Sequence, residues 1–399
     1  MSLTISKQAA LVKPSSTLAI TAKAAALRAE GKDIVGFGAG EPDFDTPENI
    51  KDAAIQAIKE GFTKYTPASG IVDLKEAVSQ KFKSFNHLNY EKNQIVISNG
   101  VKHSLTNVFT AIINRGDEVI IPAPYWLSYP EIVRLAGGTA VFIKTTMQDN
   151  YKLTADKLKE AVTDKTKALI LNSPCNPTGM IYTREELEAI AEIAVSHDFY
   201  VVSDEIYEYL IYGGEEHVSI ASLNDEIYKR TITCSGLSKS YAMTGWRVGY
   251  TGSSKELAKL MSSIQSHQTS NVNSIAQKAA IEALIGPQKI VEIMKKEFNE
   301  RRDYIYERVC KIPYIKTLKS AGAFYTFIDI SEIFKMTHKG VINGSTDNVA
   351  SILLEDYGVI VVPCEDFGFP DHIRLSYAIS MKQIQKGMDR IETFISNLS

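Results

Sequence analysis

A lysine, Lys239, stands in the run Ser235-Gly-Leu-Ser-Lys239-Ser-Tyr-Ala-Met-Thr-Gly-Trp-Arg247-Val-Gly249, with an arginine eight positions after it. Most lysines are solvated surface residues, but Gly236, Leu237, Ala242, Met243, Gly245 and Trp246 around this one are not typical of a surface. The spacing suits a lysine that makes an imine and an arginine that grips a phosphate. A carbonyl cofactor with a phosphate tail needs both, and pyridoxal phosphate is the common one. Its pyridine nitrogen would need a carboxylate, because a protonated ring is what accepts the electrons of a broken bond. Asp204 ends the strand-like run Phe199–Ser203, and open parallel sheets bind ligands beyond the carboxyl ends of their strands. The plainer alternative is a strand-end aspartate that caps the next helix. Three residues on, Tyr207 could donate to the ring oxygen of the cofactor and lower the imine pKa.

Two further turns have phosphate-binding or positioning character. Ser98-Asn-Gly100-Val101-Lys102 lies between an apolar run, Ile95–Ile97, and an apolar helix. Free amides and the helix dipole there attract phosphate, so the backbone at Gly100, Val101 and Lys102 is assigned to it, with Arg247 as a clamp. Asn172-Ser-Pro-Cys-Asn176-Pro-Thr-Gly179 follows another strand and is stiffened by two prolines, which would hold Asn176 rigidly at the sheet edge. Gly36-Phe-Gly-Ala-Gly40 fails as a dinucleotide fingerprint, since it leads into Glu-Pro-Asp rather than opening a helix.

The elements that must position these residues alternate between strand-like and helix-like from about Thr46 to Thr251, which predicts an α/β fold with a mostly parallel sheet flanked by helices. Seven apolar runs predict strands covered on both faces: Ile95–Ile97, Val119–Ile121, Ala140–Ile143, Ala168–Leu171, Tyr200–Val202, Thr231–Thr233 and Val248–Thr251. Thr46 is expected to cap a helix with Pro47 at its first position, an apolar face of Ile50, Ala54, Ala57 and Ile58, and an end at Gly61. Thr183-Arg-Glu-Glu186 reads as a capping box opening a helix that runs to about His197. From about Gly286 the pattern changes to a long charged helix (Ile290–Val309), strand-like Phe324–Asp329 and Val359–Val362, and a final helix from about Ser380. This part reads as a smaller α+β domain.

The chain has 399 residues, a net charge of −3 and 44% hydrophobic residues, which describes a globular protein with ample core. It carries neither a long basic run for nucleic acid nor an apolar stretch of about 20 residues for a bilayer. The N-terminus lacks the continuous apolar core of a secretory signal, so a cytoplasmic location is expected. Cys175, Cys234, Cys310 and Cys364 are scattered without a Cys-x-x-Cys pair, which indicates neither a disulfide framework nor a zinc or other metal site.

The run from Gly236 to Gly249 resembles the lysine signature of class I and II aminotransferases, and Asn-Pro-Thr-Gly at Asn176–Gly179 is a further hallmark of that family. With Asp204, Tyr207 and Arg247 in family order, the resemblance covers the chain from Lys13 to Arg374. It implies a fold-type I pyridoxal-5′-phosphate enzyme with a large domain over 46–285 and a small domain built from 1–45 and 286–399. By the same resemblance Asn176 contacts the cofactor and approaches the substrate carboxylate. Trp126 stacks on the pyridine, Arg374 binds the α-carboxylate, and the Gly40 backbone approaches that group. Tyr65 reaches the phosphate of a neighbouring subunit, which implies a homodimer with shared sites.

Val12-Lys-Pro-Ser-Ser-Thr17, Tyr125-Trp and Met243-Thr-Gly-Trp are similar to the aspartate aminotransferase branch called Ib, in which residues matching Thr17 and Lys102 help recognise a distal carboxylate. Amino acids and 2-oxo acids are the implied partners, and aspartate with 2-oxoglutarate the implied pair. A prephenate, aromatic or alanine aminotransferase and a β-lyase with the same fold remain alternatives. A regulatory domain of a transcription factor is disfavoured, because the first 45 residues hold no basic recognition helix. There are two departures. Gly236 stands where many relatives place a phosphate-binding serine, leaving Ser235 or Ser238 to supply a hydroxyl, with Ser238 carried as the candidate. Thr269–Ser274 has Val272 and Asn273 where a proline-containing stretch is expected.

Overall fold

The computed structural model describes residues 4–6, 10, 12, 16–342 and 344–399. A first short strand, β1 (Val35–Gly36), precedes the main sheet, whose seven strands are β2 (Ile95–Ser98), β3 (Glu118–Ala123), β4 (Thr139–Lys144), β5 (Thr166–Asn172), β6 (Tyr200–Asp204), β7 (Thr231–Gly236) and β8 (Gly249–Gly252). Their order is β2-β8-β7-β6-β5-β3-β4. Neighbours from β4 through β7 are parallel, while β8 runs antiparallel to both β7 and β2. All seven apolar runs are therefore strands of one sheet.

One expectation fails at the margin of this sheet. Six strands are covered on both faces as their apolar runs require, but β4 is an edge strand with most of its residues half-buried or exposed. Its Phe142 is half exposed and stacks on Tyr125 at 5.0 Å.

Register decides where the chemistry collects. Asn172 at the end of β5 pairs with Asp204 at the end of β6, and Asp204 pairs with Cys234 of β7, two residues before Gly236 closes that strand. The loops carrying Asn176, Tyr207 and Lys239 therefore leave the same edge of the sheet, its carboxyl edge.

The capping box forms as predicted. The Thr183 hydroxyl accepts from the Glu186 amide at 3.3 Å and the Glu186 carboxylate accepts from the Thr183 amide at 2.8 Å, opening a helix over Arg184–Ser196. Thr46 is a correction. The helix Glu48–Lys59 has Pro47 at its N-cap and no side-chain cap, because the Thr46 hydroxyl is drawn instead to the backbone of Ala242, 2.6 Å away. That helix buries Ile50, Ala54 and Ala57, whereas Ile58 is exposed, and Gly61 takes the left-handed backbone (φ +73°) that turns the chain away.

The rest of the chain builds a second, antiparallel sheet. The long charged helix spans Lys289–Val309, and β9 (Lys316–Thr317) and β10 (Tyr325–Asp329) follow it. After a hairpin of β11 (Thr337–His338) and β12 (Val341–Ile342), the expected strand Val359–Val362 is two pieces, β13 (Val359–Ile360) and β14 (Val362–Pro363). β13 pairs in parallel with β1 from the N-terminal part. β14 pairs with β15 (His372–Ser376), which also pairs with β10. Ala24, Ile34, Leu354 and Ile360 form a small core where the two chain ends meet. The final helix, Met381–Ser396, is capped by Ser380. No helix among the described residues is long and apolar enough to cross a membrane.

Candidate active site

The carboxyl edge of the large sheet and the strand β15 face each other across a cleft of about 370 Å³, within the range of small-molecule sites. Gly40, Val101, Lys102, Trp126, Asn176, Asp204, Tyr207, Ser238, Lys239, Arg247 and Arg374 all line it. Residues spread over more than 330 positions of sequence therefore converge on one space.

Lys239 follows β7 and its ammonium donates to the Gly40 carbonyl. Burial pushes its pKa down to about 8, opposed by the Glu41 carboxylate and helped by Arg374 and Arg247. Asp204 is 3% exposed. Its Oδ2 accepts from the Tyr129 hydroxyl at 2.7 Å and its Oδ1 from the Ile206 amide at 3.3 Å. The alternative of a helix cap is not met, because the Ile206 amide lies in a turn and no helix begins there. Burial pushes Asp204 up to about 6, against the pull of the Tyr129 hydrogen bond.

Asn172 closes the proline-stiffened loop. It donates to the Asp204 carbonyl and accepts from the Asn176 amide, each at 2.9 Å, which sets Asn176 facing β15. The Asn176 side-chain oxygen accepts from Arg374 Nη1 at 2.9 Å, and Arg374 Nη2 donates to the Gly38 carbonyl at 3.1 Å. Arg374 lies 4.4 Å from the centre of the Tyr325 ring, whose hydroxyl is 2.8 Å from that of Tyr207.

At the other end of the cleft, Gly100 caps the helix Val101–Ile112 without any side chain on its free amides. The φ of Gly100 is +82°, which favours glycine, and a Cβ there would stand 2.3 Å from Arg247 Nη2 and displace that guanidinium. Arg247 donates to the carbonyls of Thr244 at 2.8 Å and Asn99 at 3.4 Å. Lys102 holds its ammonium 4.9 Å from the centre of the Trp126 ring.

The profile of the family described as Aminotransferase class I and II matches residues 32–391. The chain belongs to the class I and II aminotransferases. It is 51% identical to an aspartate aminotransferase of Bacillus sp. (strain YM-2) over 96% of each chain. It is 46% identical to a probable aspartate/prephenate aminotransferase of Rickettsia conorii, over 98% of each. An aspartate aminotransferase of Thermus thermophilus solved with maleate superposes with a TM-score of 0.93 at 42% identity, over 98% of this chain and all of that one. The fold is that of fold-type I pyridoxal-phosphate enzymes.

The cleft of this aminotransferase fits such a cofactor on its own terms. Among the described residues none of Lys102, Lys239, Arg247 and Arg374 has a carboxylate ion-pair partner, and Arg374 Nε is buried with no hydrogen bond at all. A buried carboxylate stands beneath, and uncapped amides beside Arg247 receive an anion.

The two candidate serines differ in position. Ser238 lines the cleft, whereas Ser235 points below the sheet and donates to Glu208, which is also ion-paired with Lys81. At Gly236 an added Cβ would come within 2.9 Å of the Val248 carbonyl, so the departure there meets a tight crossing of β7 with β8. The Thr269–Ser274 stretch lies beside the Gly100 turn, with Thr269 accepting from Asn99 at 3.2 Å and Asn273 capping the helix Ser274–Ile285.

Tyr65 is 90% exposed and is not part of its own chain's cleft. The Thr17 side chain and the Lys13–Ser15 stretch lie outside the described residues.

Sequence reasoning missed four groups. Tyr129, Asn172 and Tyr325 hold the assigned residues from behind, and Glu41 accepts from Thr244 at 2.7 Å across the cleft mouth. Only Asn172 left a signal, as the first asparagine of the loop already singled out.

Proposed function

We propose that the protein is an aspartate:2-oxoglutarate aminotransferase that binds pyridoxal 5′-phosphate in this cleft and converts L-aspartate and 2-oxoglutarate to oxaloacetate and L-glutamate. The observation that carries the reading is the convergence of Lys239, Asp204, Arg247 and Arg374 on one cleft. The names of the relatives support the substrate pair, and the maleate bound by the Thermus thermophilus enzyme is, like aspartate, a dicarboxylate.

Bound pyridoxal phosphate supplies the carbonyl that takes the amino group and the ring that accepts the electrons of the broken C–H bond. Arg247, the amides of Val101 and Lys102, and Ser238 hold its phosphate. Asp204 keeps the proton on the ring nitrogen, and Trp126 covers one face. The buried Tyr207 hydroxyl, 2.8 Å from that of Tyr325, and the Asn176 side-chain amide meet the ring oxygen.

Arg374 receives the substrate α-carboxylate through its fork, its unpaired Nε included, beside Gly40 and Asn176. Lys239 would take the proton from the substrate α-carbon and deliver it to the former carbonyl carbon of the cofactor, two atoms along on the far side of the nitrogen. With a pKa of about 8 rather than 10.5, about a quarter of the free amine is neutral at pH 7.5 instead of about a thousandth. Lys102, with Thr17, meets the distal carboxylate.

The small domain of 1–45 and 286–399 against the large one of 46–285 belongs to the same reading, supported by the pairing of β1 with β13. So do a cytoplasmic location and a homodimer in which the exposed Tyr65 serves the partner's phosphate. Prephenate as the acceptor is a second reading, favoured by the name of the Rickettsia conorii relative.

The test is initial-rate kinetics with both substrates varied. One half-reaction at a time gives parallel double-reciprocal lines, and lines that intersect contradict the shuttle assigned to Lys239. Prephenate offered in place of 2-oxoglutarate separates the two readings.

A further inference from the structure

We propose that Tyr129 is a positioning residue that keeps Asp204 ionised and thereby fixes the shared proton on the cofactor's ring nitrogen rather than on the carboxyl group. The proposal rests on the pyridoxal-phosphate reading above and extends it to a residue that never touches the substrate.

Three observations carry it. Tyr129 and Asp204 are both buried, and the bond between them, at 2.7 Å, is the one hydrogen bond either side chain makes to another side chain among the described residues. A hydroxyl donating to a carboxylate out of water is among the stronger protein hydrogen bonds. The other donor to Asp204, the Ile206 amide, stands at a longer 3.3 Å. Tyr129 is itself locked in place, since it lies in the first turn of the helix Ser128–Leu135 with its ring edge-on to Trp126 at 5.3 Å.

The remaining groups around Asp204 do not replace this donor. Glu205 is negative and disfavours the ionised form, and Lys239 favours it from across the cleft. Tyr207, Cys175 and Cys234 are protonated neighbours held so by burial. Tyr129 also stays protonated, because burial and the Asp204 charge raise its phenol far above the usual range. Toward an ionised Asp204, which has no proton to give, it donates.

Without the hydroxyl, the single proton between carboxyl oxygen and ring nitrogen moves to the oxygen. Nothing is oxidised or lost, but a neutral ring withdraws fewer electrons. Binding would survive, and the chemical step would slow.

The test uses Tyr129→Phe, which keeps the ring against Trp126, together with 3-fluorotyrosine at position 129, which makes a stronger donor. In the cofactor-free full chain, 13C NMR follows the Asp204 carboxyl, assigned by its loss in Asp204→Asn. The expected result is a wild-type midpoint near 6, a gain of about tenfold in proton affinity with Phe, and a shift the other way with fluorotyrosine. In the loaded enzyme, 15N NMR of ring-labelled pyridoxal phosphate moves toward the unprotonated position with Phe, and kcat falls while the KM for aspartate holds.

An unmoved midpoint in a Tyr129→Phe protein of unchanged thermal stability overturns the proposal. A raised midpoint with an unmoved 15N resonance overturns its claim for the ring proton. Failure of the wild-type chain to bind pyridoxal phosphate overturns the cofactor reading, and with it the claim for the ring proton, while the carboxyl titration still decides what Tyr129 does to Asp204.

Discussion

A carboxylate taken out of water resists ionising, and Asp204 is kept at the floor of the cleft despite that cost. Its folded-state value near 6 lies above its ordinary 3.8, so the folded chain binds this proton more tightly than the unfolded chain between those values. Above pH 6 the folded state carries the full cost of the charge, about 3 kcal/mol for the cofactor-free protein. Asp204→Asn is therefore expected to abolish turnover yet stabilise the cofactor-free protein at pH 7.5, and to lose that gain as the pH falls from about 6 to about 3, where the wild-type carboxyl is neutral in both states. Urea unfolding at about pH 7.5 and about pH 3 checks it. An Asn variant less stable than wild type at pH 7.5 would contradict the assignment. At this scale the sequence was legible where chemistry demanded a residue type, as with Lys239, Asp204, Arg247 and Arg374. It was mute on Tyr129, whose partner lies 75 positions away and whose surroundings look like an ordinary amphipathic helix.

The elements were legible wherever burial alone decides. Seven apolar runs became seven strands because each is covered by helices or neighbours, and β4 was misread because an apolar run carries no mark of being at an edge. Val359–Val362 could not be divided from sequence, since the break comes from a change of partner, β1 for the first half and β15 for the second. Thr46 was misassigned for a similar reason. Its hydroxyl accepts from the Trp246 indole at 2.9 Å besides donating to Ala242, and so ties a helix start to the loop that presents Arg247. The Gly100 turn leaves little room for a side chain. Gly100→Ala would put a methyl group into the Arg247 guanidinium and strain a backbone at φ +82°. The expected outcome is a fall in pyridoxal-phosphate affinity of roughly tenfold or more with a stability loss of about 1 kcal/mol. Equilibrium dialysis against the cofactor measures the first, and unchanged affinity would remove this turn from the phosphate site.

The whole molecule brings two sheets from different parts of the chain to face one cleft, with β15 supplying Arg374, β10 supplying Tyr325, the segment after β1 supplying Gly40, and the large sheet and its loops supplying Asn176, Asp204 and Lys239. The exposed Tyr65 is where the proposed dimer is tested. If it completes the partner's site, chains carrying Lys239→Ala mixed with chains carrying Tyr65→Ala form hybrid dimers with one site made wholly of intact residues. Refolding the two together should yield more activity than the average of the parents, and no gain over that average would count against a shared site. The division into domains was read from a change of pattern near Gly286, but the partnership of the two chain ends was reachable only through family resemblance, because a two-residue strand such as β1 leaves no periodicity to read.

The central claim, a lysine-based amino transfer selective for dicarboxylic amino acids, is tested most directly by a single half-reaction. Purified protein loaded with pyridoxal phosphate is mixed with one amino acid at a time while the absorption of the bound cofactor is followed. The account predicts rapid bleaching by L-aspartate and L-glutamate and recovery on adding 2-oxoglutarate. Much faster bleaching by aromatic amino acids or alanine would contradict the substrate assignment, and no response to any amino acid would contradict the transfer chemistry itself.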